Sequence, residues 1–273
     1  MEKLEAALAK AREARKSSHT EMDGMVNASR KASKSAADWG ALPEIGVTQK
    51  LARQNRITAL LGGKEATPYD MLRSRTVRMM KDANWRRLAV TSPNAACGKT
   101  TVSLNLALSL ARQKDLSVLL LDLDFRRPSL HQILGHAPKH SVHEVLEGKV
   151  DFAEAAVRYG DNLAIAMNRT AARNPAELLH SSLGRDILAQ IEAQWRPDII
   201  IFDMSPMLAS DDNVGFMANV DCALLIAAAE STTLQNIDTC EKELAQLTNV
   251  LGVVLNKCRY VDSSTGYGYE DYA

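Results

Sequence analysis

A chain of 273 residues, 46% hydrophobic and 24% charged, has globular statistics and room for one large α/β domain with an appendage. No apolar run approaches the roughly 20 residues a bilayer-crossing helix needs, and the start MEKLEAALAKAREARK is charged, so neither a membrane span nor a secretory signal is expected and the chain is read as cytoplasmic. Four widely spaced cysteines (Cys97, Cys222, Cys240, Cys258) fit neither a zinc site nor a disulfide framework, and the zero net charge divides into +8 over residues 1–90 (18 Lys+Arg, 10 Asp+Glu) and −8 over residues 91–273 (15 and 23).

In chain order, residues 1–17 set Leu4, Ala7, Leu8 and Ala11 at helical spacing, and a Ser/Ala-rich polar stretch to about residue 40 reads as a flexible linker. The basic excess here has two readings, a solvated tail or an attraction to anionic lipid or an acidic partner. Nucleic acid is not expected, because no aromatic residues interleave with the charges. Pro68 opens a helix carrying Met71, Leu72, Val77, Met79 and Met80, expected to pack outside the core sheet.

From residue 87, short apolar runs alternate with helical stretches: RLAVTS, TVSLNLALSLARQ, SVLLLDLD, NLAIAM, a helix near residues 183–195, DIIIFDM, DCALLIAAA, a helix over 233–247, and VLGVVLN. Strands this continuously apolar are buried on both faces, which predicts an α/β fold whose mostly parallel sheet has helices on either side. The divisions expected are a basic extension over 1–62, one nucleotide-binding domain over 63–259 and a flexible tail over 260–273.

Residues 92–101, SPNAACGKTT, follow a strand and open an apolar helix, the context of a Walker A phosphate loop, so the fold is that of a P-loop NTPase. Asn94, Ala95, Ala96, Cys97, Gly98, Lys99, Thr100 and Thr101 are the candidate nucleotide contacts. Backbone N–H groups and the helix N-terminus suit phosphate, Lys99 suits the β/γ-phosphates, and the Thr100 hydroxyl suits Mg²⁺. Pro93 stands where the motif has its first glycine.

SVLLLDLDFRRP ends a buried strand with Asp122 and Asp124, and DIIIFDMSP ends another with Asp203. Strand carboxyl ends are where parallel sheets bind ligands. Mg²⁺ takes hard oxygens and keeps waters, so Thr100 with one or two of these aspartates and phosphate oxygens would complete its sphere, leaving an aspartate for proton transfer.

Six features together resemble the bacterial tyrosine kinases of capsule and exopolysaccharide synthesis: the S-P-x-x-x-x-G-K-T-T loop, the D-x-D-x-R-x-P segment (Asp122, Asp124, Arg126, Pro128), N-P-A-E-L-L over residues 174–179, a D-x-x-P Walker B (Asp203, Pro206), G-V-V-L-N over 252–256, and a terminal tyrosine cluster. The resemblance implies tyrosine autophosphorylation from Mg·ATP. Its site would comprise Lys99, Asp122, Asp124 and Arg126 as catalytic residues, with Asp122 as base, and Thr100, Asp124 and Asp203 at the metal. Asn256 resembles an adenine contact, though an Asn ending a strand is also a common turn residue. The acceptors would be Tyr260, Tyr267, Tyr269 and Tyr272, four of the six tyrosines. The same likeness implies a transmembrane co-polymerase or adaptor that holds the kinase at the inner face of the membrane, protein tyrosine substrates and a cognate tyrosine phosphatase.

The chain also departs from that family. Thr67 and Asp70 stand where an E-x-x-R-x-x-R helix has its Glu and first Arg, leaving Arg73, so self-association is expected to be weak. Cys97 occupies a loop position more often acidic or Gly; it is read as a small residue that fits, with an oxidation-sensitive thiol as the alternative. Two other functions stay open: a partitioning or division-site ATPase, against which Asn94 replaces that family's signature lysine, and a nucleotide-dependent scaffold without catalysis.

Overall fold

The computed structural model describes residues 37–259; the helix expected over 1–17, most of the expected linker and the tyrosines from Tyr260 on lie outside them. Strands β1 (Arg87–Thr91), β2 (Val118–Asp122), β3 (Ala156–Tyr159), β4 (Leu163–Ala166), β5 (Ile199–Asp203), β6 (Cys222–Ala228) and β7 (Asn249–Asn256) form one sheet in the order β3-β4-β2-β5-β1-β6-β7. Only β3 and β4 pair antiparallel; every other pairing is parallel. Helices cover both faces, dividing the core into one cluster around Leu104, Leu108 and Leu120 and another around Leu121, Phe202 and Trp195. This is why β2, β5 and β6 are apolar and buried from end to end.

The helix Lys99–Ala111 runs inside the domain and is buried along nearly its whole length. Five polar residues on it, Lys99, Thr100, Ser103, Asn105 and Ser109, are buried with it and have partners. Asn105 accepts from the Ala59 N–H at 2.9 Å and donates to the Arg56 carbonyl at 3.0 Å, which ties the preceding segment to the domain.

That tie corrects the expected boundary at residue 62. Leu42, Ile45, Ala52, Ile57 and Ala59 are buried, and Glu44 bridges to the Arg158 backbone on β3, so residues 37–62 belong to the folded domain. A short amphipathic stretch of this kind has too little periodicity to announce itself, and burying its apolar residues compensates the entropy of ordering it. The pre-loop helix also starts earlier than expected, at Gly63, with Pro68 inside it. In the second turn the missing N–H forfeits a single bond, and the Thr67 hydroxyl donates to the Gly63 carbonyl at 3.2 Å. Met80 is buried, whereas Met79 is 43% exposed. Strand β3 was not expected: as a four-residue edge strand it lacks the continuous apolar run of its neighbours.

Candidate functional site

The phosphate loop leaves β1 and turns into the helix Lys99–Ala111 through two left-handed residues, Ala96 (φ 63°) and Gly98 (φ 92°). Alternating backbone handedness aims successive N–H groups into one concavity. The N–H groups of Lys99, Thr100 and Thr101 have no carbonyl one turn back within the helix, as at any helix start. A Cβ at Gly98 would lie 2.3 Å from Asn256 Nδ2, and that same Nδ2 donates to the Cys97 carbonyl at 2.9 Å. Asn256, at the end of β7, therefore braces the loop. Cys97 is buried, its Sγ 3.5 Å from Thr232 Oγ1, and the Thr232 hydroxyl also accepts from the Ala228 N–H. A larger side chain would have to displace that contact.

Across β2 and β5, Asp122 and Asp203 are register partners, both with no exposed surface. Lys99 Nζ donates to Asp124 Oδ2 at 2.6 Å and lies 3.9 Å from Asp203 Oδ1. Burial by itself would lower the Lys99 ammonium, but the carboxylates of Asp203, Asp124 and Asp122 outweigh it and hold the lysine above its ordinary pKa. Burial, reinforced by the charge of Asp203, pushes Asp122 well above the usual carboxylate range; Lys99 opposes this without cancelling it. Asp203 is also raised, by burial against the pull of Lys99 and hydrogen bonds from Thr100 and Ser103.

Above these groups opens a cleft of about 550 Å³ lined by Ala95, Ala96, Lys99, Thr100, Asp124 and Arg126, among others. Arg126 donates to both carboxylate oxygens of Asp212, at 2.5 and 2.8 Å. Burial pushes Asp212 up, but the bonds from Arg126 and Ser210 win and hold it below the ordinary carboxylate value.

The residues fit a nucleotide and a hard divalent cation. Asp203 Oδ2 is buried without a hydrogen-bond partner, although Asp203, like Asp122, does not itself line the cleft. Thr100, Asp124 and Asp203 offer oxygens only, as Mg²⁺ prefers. Among the described residues no group of three or more His, Cys, Asp or Glu holds a metal by itself, so such an ion would draw further ligands from phosphate and water.

The structure thus brings together Lys99, Thr100, Asp122, Asp124, Asp203 and Arg126, with Ala95, Ala96 and Thr101 on the same cleft, while Asn94 is half-buried with its carbonyl held by the Ser92 hydroxyl. Asp122 does not line the cleft. Tyr260, Tyr267, Tyr269 and Tyr272 lie outside the described residues. Sequence reasoning missed three supports: Ser103, 3.1 Å from Asp203; Asp212; and Asn168, whose N–H reaches Asp122 Oδ2 at 3.4 Å and whose amide donates to the Asp122 carbonyl at 2.6 Å. Asn168 had one available signal, its place at the carboxyl end of the apolar run NLAIAM.

The profile of the CobQ/CobB/MinD/ParA nucleotide binding domain matches residues 88–267. The tyrosine-protein kinase CpsD of Streptococcus pneumoniae serotype 4 is 30% identical over 173 residues, 62% of this chain and 75% of that protein. The tyrosine-protein kinase wzc of Salmonella typhi is 29% identical over 196 residues, 71% of this chain but 27% of that protein, so this chain spans about a quarter of its length. In fold, the kinase domain of the Escherichia coli tyrosine kinase ETK superposes with a TM-score of 0.67 at 24% identity, covering 85% of this chain and 95% of that domain.

Proposed function

The chain belongs to the bacterial tyrosine-protein kinase family, on the CobQ/CobB/MinD/ParA type of nucleotide-binding domain, and from that premise we propose that it transfers the γ-phosphoryl group of Mg·ATP to protein tyrosines, its own tail included. The observation that carries this reading is Lys99 Nζ held 2.6 Å from Asp124 and 3.9 Å from Asp203, whose register partner across the sheet is the buried Asp122. Phosphoryl transfer is chiefly positioning and charge neutralisation, and those groups supply both in kind.

Bound Mg²⁺ would neutralise phosphate charge and fix the transferring group, held by Thr100, Asp124 and Asp203. Lys99 offers the phosphates a cation that already stands among three carboxylates. The tyrosyl oxygen forms the new P–O bond as the β,γ-bridging P–O bond breaks, and Asp122, in its ionised form, accepts the hydroxyl proton. Lys99 and Asp124 line the cleft, and Asp122 is buried off it. Arg126, clamped by Asp212 at the lip, steadies the loop that carries Asp124. Asn256 contacts the nucleotide base from the edge of the loop it braces.

The resemblance to capsule and exopolysaccharide kinases supports a role in that synthesis and export, with a transmembrane co-polymerase as partner, recruitment to the inner face of the membrane through it, and a phosphatase that reverses the modification. No helix of the described residues is long and apolar enough to cross a membrane. On this reading the purified chain is weakly active until the adaptor's cytoplasmic tail is added.

The test is to incubate the protein with Mg·ATP and map products by mass spectrometry. Phosphotyrosine within residues 260–272 supports the kinase. Phosphate release without it favours a partitioning-type ATPase, and neither product favours a scaffold.

A further inference from the structure

Three cations line the cleft, and they differ in what holds them. Lys99 is bonded to Asp124, and Arg126 is clamped by the buried Asp212. Arg127 is exposed and forms no ion pair among the described residues, yet its backbone is fixed: its N–H donates to Asp124 Oδ1 at 3.0 Å, and the following Pro128 restricts its φ and ψ. Arg127 is therefore a cation on the lining of the cleft, tethered through its backbone to the carboxylate expected to hold the metal and with no ion-pair partner among the described residues.

The tail sequence is complementary. Residues 260–273, YVDSSTGYGYEDYA, contain Asp262, Glu270 and Asp271 and no Lys or Arg, and Glu270 and Asp271 stand between Tyr269 and Tyr272. In an extended peptide the residues one and two places from an acceptor tyrosine lie about 3–7 Å along the chain from it, within the sweep of an arginine side chain anchored at the cleft. Guanidinium and carboxylate form bidentate, charge-assisted bonds that a hydrated lysine point charge does not match.

We propose that Arg127 is a specificity-determining residue that selects acidic tyrosine peptides, gripping a carboxylate one or two residues from the acceptor tyrosine. This rests on the kinase reading above and adds the substrate class to it. A cation with this role acts on peptide capture and leaves ATP alone, which separates it from a further phosphate ligand. Arg126 is less suited to the task, because its Nε and Nη2 already bond both oxygens of the buried Asp212, which neutralises its charge.

The test uses the full chain and three synthetic peptides: TGYGYEDYA, the same sequence with Gln and Asn in place of the two acids, and the same with two lysines there. Phosphotyrosine formation gives kcat/KM, the KM for ATP is measured in parallel, and anisotropy of the labelled peptides gives binding without chemistry. Comparing ratios between peptides cancels competition from the chain's own tail. The wild type should favour the acidic over the neutral peptide by about fivefold, the size expected of one partly screened charge pair. Arg127→Ala should abolish the preference and Arg127→Glu should turn it toward the lysine peptide, with the ATP KM unchanged. A preference that survives both variants, or an ATP KM that rises while the preference stays, overturns the proposal. If the wild type forms no phosphotyrosine, the kinase reading fails, and the anisotropy decides this one: binding that tracks peptide charge through Arg127 upholds an acidic-peptide site, and binding indifferent to it rejects the site.

Discussion

The helix Lys99–Ala111 and the residue that ends it carry a carboxylate–cation pair at either end. At the N-terminus Lys99 meets Asp124 at 2.6 Å, their side chains 10% and 6% exposed; past the C-terminus Arg112 meets Asp70 at 2.8 Å, 50% and 31% exposed. Asp70 also accepts from Arg73 and from the Ser109 hydroxyl, so it staples the pre-loop helix to the phosphate-loop helix. The chemistry of the two pairs is nearly the same. What differs is the surroundings: the outer pair is screened by water, while the inner one sits among two more buried carboxylates whose mutual repulsion a fold has no structural reason to keep. Asp70 looked, in sequence, like a charge lost from an assembly surface; in the structure it is spent within the chain.

Substitutions at the two ends should therefore differ in kind. The largest effect is expected for Lys99→Met, which removes the cation proposed to meet the phosphates: tail phosphotyrosine should fall by at least about a hundredfold in mass spectrometry. An undiminished signal would erase the distinction between the two pairs.

Asp122→Asn comes next. Transfer should drop by about 10²–10³ with ATP affinity held within about twofold, since an amide fills the space but takes no proton. The variant should also gain stability near pH 7. The folded pKa of Asp122 is raised, so the folded state keeps its proton to higher pH than the unfolded chain, and stability is lost as pH rises from the unfolded value, about 3.9, through the folded one. Thermal melts from pH 4 to pH 8 should show the advantage of Asn growing with pH; a constant difference would mean that folding does not raise the pKa of Asp122. Loss of ATP binding would instead make Asp122 a metal ligand.

Gly98→Ala tests the backbone of the inner end. At φ 92° an alanine is strained, and its Cβ would push the Asn256 amide off the loop it braces, costing about 1–3 kcal/mol and weakening ATP binding by calorimetry more than it changes the overall fold.

The smallest effect belongs to the outer end. Arg112→Ala should cost about 0.2–1 kcal/mol in urea unfolding and leave phosphorylation unchanged. With Asp70 engaged inside the chain, the dephosphorylated protein should scatter light as monomer or dimer at micromolar concentration. An octamer-sized ring from the purified protein would show that assembly does not need the charges missing at Thr67 and Asp70.

The sequence by itself determined the parallel sheet, the phosphate loop and the carboxylates behind it, because each is written locally. Continuous apolar runs mark doubly covered strands, a Gly-Lys-Thr between strand and helix marks a phosphate turn, and Asp122, Asp124 and Asp203 follow at the strand ends. The tertiary structure decided the rest. Arg126 and Asp212 are 86 residues apart, Asn256 reaches back to Cys97 across 159, and Asn105 draws in a segment that composition alone marked as an extension. Partners at such separations obey no period. They are chosen when the sheet closes and a buried polar group must find a donor or acceptor among whatever the fold has brought near it.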